Sequence, residues 1–180
     1  MENTVTYEDV CKAVKKTGMI CRGGFHPVEG DNIPGNPNTC IMVGNAGIRF
    51  WQSFESNRSK EPNPIEAWTQ KALNQIAKDL EAKIVFPFTG PPFLPFLEWA
   101  KRSEQVTESP IGPLIHPVYG LWHAYRGMFL FTEIIELPEN TDLDYLHPCD
   151  ACSEKPCLLA CPVNAVSEVG FHVKACTNHI

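Results

Sequence analysis

The sequence predicts an α+β body over residues 1–140 and a small cysteine-rich segment over residues 141–180. Three observations lead there. A helical stretch with a proline-led start opens at Asn63. Short apolar runs, bounded by glycine, proline and polar residues as strands are, recur on either side of it. Five of the eight cysteines, Cys149, Cys152, Cys157, Cys161 and Cys176, crowd the end of the chain, which sets that end apart from the body. A chain of 180 residues suffices for one well-buried domain and is too short for two large ones.

The first helix is expected from about Tyr7 to Thr17, with Thr6 as N-cap, Asp9 at the third helical position and Gly18 as a left-handed stop. Residues 21–38 are rich in Gly, Pro and Asn and read as a long loop. Thr39 to Val43 reads as a buried strand ended by Gly44, and a short helix then carries Ile48, Phe50, Trp51 and Phe54. The clearest helix has Asn63 as N-cap, Pro64 at its first position and Glu66 three residues after the cap, a capping-box-like start. Ile65, Trp68, Ala72, Leu73, Ile76 and Leu80 recur along it at helical spacing. Ile84 to Phe86 is a second short strand. Residues 87–96 hold too many prolines for a central strand and read as an apolar loop packed over something. A helix from Leu97 to about Glu104 follows, then strands over Leu114–His116 and Ala124–Glu133, and a linker over residues 137–148.

Charge and composition narrow the function. With 15 basic and 21 acidic residues the net charge is −6, and the basic residues are scattered, the densest group being Lys12, Lys15 and Lys16. Nucleic-acid backbones are bound through clustered Lys and Arg, so a nucleic-acid partner is not expected. No run approaches the roughly 20 apolar residues of a membrane-spanning helix, and Met1 to Asp9 is acidic and polar, unlike a secretory signal. A cytoplasmic location is therefore expected, where thiols stay reduced and the cysteines need an explanation other than disulfides.

The tail spells C-x2-C-x4-C-x3-C-P from Cys149 to Pro162, close to the bacterial ferredoxin run C-x2-C-x2-C-x3-C-P. Short gaps let one tight loop aim successive thiolates at a single cluster while backbone amides face its sulfurs. This predicts a 4Fe–4S cluster held by Cys149, Cys152, Cys157 and Cys161. Zinc also accepts four thiolates, although zinc motifs usually pair two knuckles across a longer gap. In two-cluster ferredoxins the cysteine before proline serves the other cluster, so Cys161 could instead share a second one with Cys176. His147, beside Pro148 and Cys149, and His123 are poor catalytic candidates.

The second informative run is Leu114 to Leu130, in which Arg126 stands in an otherwise apolar strand. A guanidinium there must find a partner, either a ligand carboxylate or amide, or a structural Asp or Glu. The pattern H-P-x-x-G-x-W-x-A-x-R-G, with His116, Gly120, Trp122 and Arg126, resembles the cobalamin-processing proteins of the CblC type. The resemblance extends weakly over residues 20–133. The tail looks like that of epoxyqueuosine reductase and related corrinoid iron–sulfur reductases. These resemblances imply a nitroreductase-like α+β sheet flanked by helices, ending in a ferredoxin-type segment. They also imply a corrinoid (cobalamin) held over an apolar floor, with residues 87–96 helping to exclude water. In the CblC-type proteins the arginine matching Arg126 helps bind the thiol co-substrate glutathione. His116, Gly120 and Trp122 match the motif as further cofactor-binding candidates. The implied function is a corrinoid-dependent or corrinoid-processing reductase fed by a partner protein or a small-molecule electron donor. The alternative is a non-catalytic electron-transfer protein that docks to a partner oxidoreductase. Two departures stand out: no His-Pro segment lies near Phe88 to Pro95, and no acidic residue matches the proton donor of epoxyqueuosine reductase.

Overall fold

The computed structural model describes residues 4–139, 147–167 and 169–179. The chain divides into two compact units, Met1–Glu104 with Trp122–Thr141, and Gln105–Leu121 with Asp142–Ile180. The boundary expected at residues 140–141, and most of the linker expected over 137–148, lie outside the described residues.

The first unit is α+β. It opens with α1 (Tyr7–Lys15), whose Thr6 cap is reciprocal: the Asp9 amide donates to Thr6 Oγ1 at 3.2 Å and the Thr6 amide to Asp9 Oδ2 at 3.1 Å. Gly18 ends the turn after it at φ 78°, as expected of a left-handed stop. Strands β1 (Ile20–Phe25) and β2 (Thr39–Ala46) follow, then α2 (Ile48–Asn57), α3 (Pro64–Asp79), β3 (Lys83–Val85) and α4 (Phe96–Ser103). After an excursion into the second unit, β6 (His123–Phe131) returns to complete a four-stranded antiparallel sheet of order β1-β2-β6-β3.

Packing explains the assignments. Ile41 and Val43 of β2 join Phe129 and Phe131 of β6, Val10 and Val14 of α1, and Leu73 and Ile76 of α3 in one buried cluster. The alternate positions Cys40, Met42, Met128 and Leu130 are buried as well, so the central strands are covered on both faces. Helix α4 packs against β1 and β2, and its Phe96, Trp99 and Ala100 are buried outside that cluster.

Several expectations need correction. Residues 21–38 are not all loop, because Ile20–Phe25 forms edge strand β1. Its Gly23-Gly24 pair, part of the expected loop, sits in a β-irregularity between Cys21 and Gly24. Strand β2 does not stop at Gly44; it runs on to Ala46 past a bulge. Pro64 does start α3, yet Asn63 makes no side-chain cap bond, so the capping-box-like start is not formed; its carbonyl accepts the Ala67 amide at 3.0 Å. The loop after β3 is irregular, and Phe88 stacks on Phe86 with centroids 5.2 Å apart. Its tip from Thr89 to Phe93 is exposed, so the loop packs only at its two ends.

The second unit has less to bury. Strand β4 (Thr107–Glu108) pairs with β5 (Leu114–Ile115), a partner that the sequence does not announce. Then come α5 (Pro156–Leu159), the β7–β8 hairpin (Val166–Ser167 with Gly170–Phe171) and α6 (Val173–Thr177). Among its described residues, Val106, Ser109, Leu114 and Ala165 are buried. Among the described residues no helix is long and apolar enough to cross a membrane.

Candidate functional site

The cysteine segment is built from three tight turns. The His147 carbonyl accepts the Asp150 amide at 2.8 Å, and His147 Nδ1 accepts the Cys149 amide at 3.0 Å, which commits this histidine to shaping the first turn. The Cys149 carbonyl accepts the Cys152 amide at 3.3 Å. Lys155, left-handed at φ 40°, then turns the chain into α5, where Pro156 takes a position in the first turn and Cys157 follows it. Cys161 leaves that helix.

Two observations bear on ligand chemistry. Burial pushes the Cys149 thiol up, and so do the neighbouring Cys157 and Cys152, which puts both of those thiols within electrostatic reach of Cys149. Cys161 moves the other way. The amides of Val163 and Ala165 face its sulfur and hold its pKa below the usual thiol value, with the Ala165 amide 3.2 Å from Sγ. A sulfur cradled by backbone amides is prepared to carry negative charge, as a metal-ligating thiolate does. All four cysteines are half-buried and none is in a disulfide. The donor set therefore suits iron or zinc in its chemistry. The thiols are not drawn together at one point: among the described residues no three Cys, His, Asp or Glu side chains form a metal-holding group. Cys176 lies on α6, and its amide donates to the His172 carbonyl at 3.3 Å.

The four residues of the second motif fall into two pairs. His116 and Gly120, in the second unit, exchange backbone hydrogen bonds of 2.9 Å each across a short turn. His116 Nδ1 accepts the amides of Val118 and Tyr119 at 2.9 and 3.2 Å, and the ring stacks on Tyr119 with centroids 4.4 Å apart. A neutral imidazole used this way carries its proton on Nε2. Trp122 and Arg126 belong to the first unit. Trp122 precedes β6 and is 88% exposed.

Arg126 owes its direction to a bulge. Val43 pairs with Gly127 and Gly44 pairs with Tyr125, so Arg126 is the extra residue between them. Gly44 permits this, since a Cβ there would stand 2.2 Å from the Ala124 carbonyl oxygen. Arg126 Nε donates to Asn45 Oδ1 at 2.7 Å, and the guanidinium lies 5.0 Å from the Phe50 ring centroid. Burial lowers its pKa from the ordinary arginine value, opposed by the charge of Glu66. Half-buried and hydrogen-bonded to the neutral Asn45 amide, this cation suits a ligand carboxylate.

Sequence reading missed the more deeply buried arginine. Arg22 of β1 is 1% exposed; its Nε donates to Glu104 Oε2 at 3.0 Å and its Nη2 to Glu104 Oε1 at 2.5 Å. Tyr125 donates to the same carboxylate at 2.6 Å, and His123 Nδ1 is 3.3 Å from Arg22 Nη2. Burial first, and the Glu104 charge next, push the Tyr125 phenol far up, so it stays a donor. An arginine between apolar Ile20 and Phe25 was the available signal, hidden by the adjoining glycines.

No family model matches the chain, and no curated protein matches it.

Proposed function

We propose that this is an iron–sulfur redox protein in which Cys149, Cys152, Cys157 and Cys161 hold a 4Fe–4S cluster, serving as a corrinoid-dependent or corrinoid-processing reductase. The amide cradle around Cys161 is the observation that carries the reading. Such a cluster supplies single electrons at low potential. Around it the chain's own groups would do two things. The amides of Val163 to Val166 would neutralise sulfur charge, and hydrogen bonds of this kind set a cluster's potential. The His147 ring would keep the first turn closed through the Cys149 amide. On this reading the tail is of ferredoxin type and the body's antiparallel sheet is of the nitroreductase kind. Arg126, aimed by its bulge, would grip a carboxylate or amide of a thiol ligand or corrinoid. Exposed Trp122, with His116 and Gly120 of the bridged turn, would supply the further cofactor-binding residues.

One observation favours the alternative, a non-catalytic electron-transfer protein that docks to a partner oxidoreductase. Leu159, Val169, Phe171 and Val173 of the cysteine segment are all strongly exposed, as a docking surface would be.

Anaerobic purification, with iron, sulfide and cobalt quantified and the visible spectrum recorded before and after dithionite, tests both readings. About four iron and four sulfide per chain are expected, with bleaching on reduction. Cysteine-bound zinc without sulfide, or colourless iron-free protein, would overturn the redox reading. Iron without affinity for added hydroxocobalamin would leave the electron-transfer protein.

A further inference from the structure

Asn45 has a place beside Arg126 that nothing in the sequence announces. It follows Gly44 on β2, at the bulge that makes Arg126 the extra residue of β6. Both side chains are half-buried, and Arg126 Nε donates to Asn45 Oδ1 at 2.7 Å. A guanidinium has only donors, so the amide oxygen must face it, and this fixes which way round the Asn45 amide sits. The remaining group of that side chain is Nδ2, a pair of N–H donors. With Nε committed and the Phe50 ring centroid 5.0 Å from the guanidinium carbon, the edge left for a ligand is that of the two Nη nitrogens. Among the described residues neither Nη of Arg126 nor Asn45 Nδ2 donates to a protein acceptor. Glu66 acts on Arg126 through its charge, but among the described residues the two form no ion pair.

Granted that Arg126 binds a ligand as read above, we propose that Asn45 is the specificity-determining residue of this site, selecting with Arg126 a ligand carboxylate over the corresponding amide. A carboxylate brings two oxygens and no donor, so an N–H of Arg126 or Asn45 can meet each of them. A carboxamide brings one oxygen and an NH2 group. That NH2 would face N–H donors, because the oxygen of Asn45 is turned to Arg126 Nε, and an unmet donor in a half-buried site weakens binding. The choice of residue matters for charge as well as for donors. A carboxylate side chain at this position would accept from Nε equally well, but it would cancel the charge of Arg126 and remove both donors. Asparagine orients the guanidinium and leaves the site cationic.

Anaerobic calorimetry on the full chain at neutral pH, with N-acetyl-L-cysteine and N-acetyl-L-cysteine amide as probes, tests this. The probes differ only in carboxylate against amide, so any binding of their thiol to a metal contributes to both alike. The native chain is expected to bind the carboxylate probe roughly tenfold or more tighter than the amide. Asn45→Asp should abolish or reverse that preference, and Asn45→Ala, which removes the donors without adding charge, should reduce it. A purely structural role for Asn45 would weaken both probes together, so the ratio of the two affinities is the deciding readout. Equal affinity of the native chain for both probes, or a ratio unchanged in both variants, would overturn the proposal while leaving Arg126 a ligand-binding residue. Affinity of the native chain for neither probe would overturn the reading of Arg126 and the proposal with it.

Discussion

Two arginines in the strands on either side of β2 show how burial and partner decide what a charge is for. Arg22 is enclosed and held by both oxygens of Glu104, with Tyr125 bonded to the same carboxylate. Removing one partner of a buried pair strands the other, so Glu104→Ala should cost about 3–5 kcal/mol in urea unfolding. Arg126 is half-buried and hydrogen-bonded to a neutral amide. Replacing it with methionine gives up a hydrogen bond and a ring contact but recovers a desolvation cost, so Arg126→Met should shift stability by less than ~1 kcal/mol. The same variant should lose affinity for the anionic ligand proposed above, measured by calorimetry with a small thiol or corrinoid. A large loss of stability would assign Arg126 a structural role instead. The sequence drew attention to Arg126 because it interrupts an apolar run. It concealed Arg22, because two glycines beside it carry the composition of a turn.

At the scale of elements, α1 was legible from its Thr6 cap and Gly18 stop, α3 from its helical spacing and Pro64, and β6 from its apolar run. Strand β1 and the far half of β2 were not, since each contains an irregularity that local propensity cannot report. The bulge at Gly44 has a direct test: Gly44→Ala would force a Cβ against the Ala124 carbonyl and should cost about 1–3 kcal/mol. The long connection from β1 to β2 is fastened to α4 in a way equally invisible in sequence. Trp99 Nε1 donates to the Asp31 carbonyl at 2.8 Å, and the Arg102 guanidinium pairs with the Asp31 carboxylate while lying 4.7 Å from the Phe25 ring centroid. Burial alone would raise the Asp31 carboxyl, but the Val28 amide and Arg102 hold it below the usual carboxylate range. A depressed folded pKa stabilises above the unfolded value, near 3.9, and that contribution fades as pH falls through the folded one. Asp31→Asn should therefore be less stable than the native chain by about 1 kcal/mol at pH 7. The gap should narrow below about pH 4. A gap that is constant with pH would mean that the carboxylate charge contributes nothing.

At the scale of the whole molecule, the two units differ in how much they bury. The first buries both faces of β2 and β6 under helices, whereas the second has Val106, Leu114 and Ala165 as the buried apolar residues among those described. Its fold also draws in Gln105–Leu121, a segment that no shift of composition marks as belonging with the cysteine tail. A small unit with so little apolar burial depends on something besides its core, and ligand bonds to thiolates are a common source of that stability. If Cys149 to Cys161 hold a cluster, binding free energy becomes folding free energy for this unit alone. Hydrogen exchange before and after chelation of iron should then separate the two units. Amides of residues 147–179 should lose roughly tenfold or more of their protection, while those of β2 and β6 keep theirs. Equal loss in both units would mean that they unfold as one, and unchanged protection in the tail would mean that its turns stand without metal.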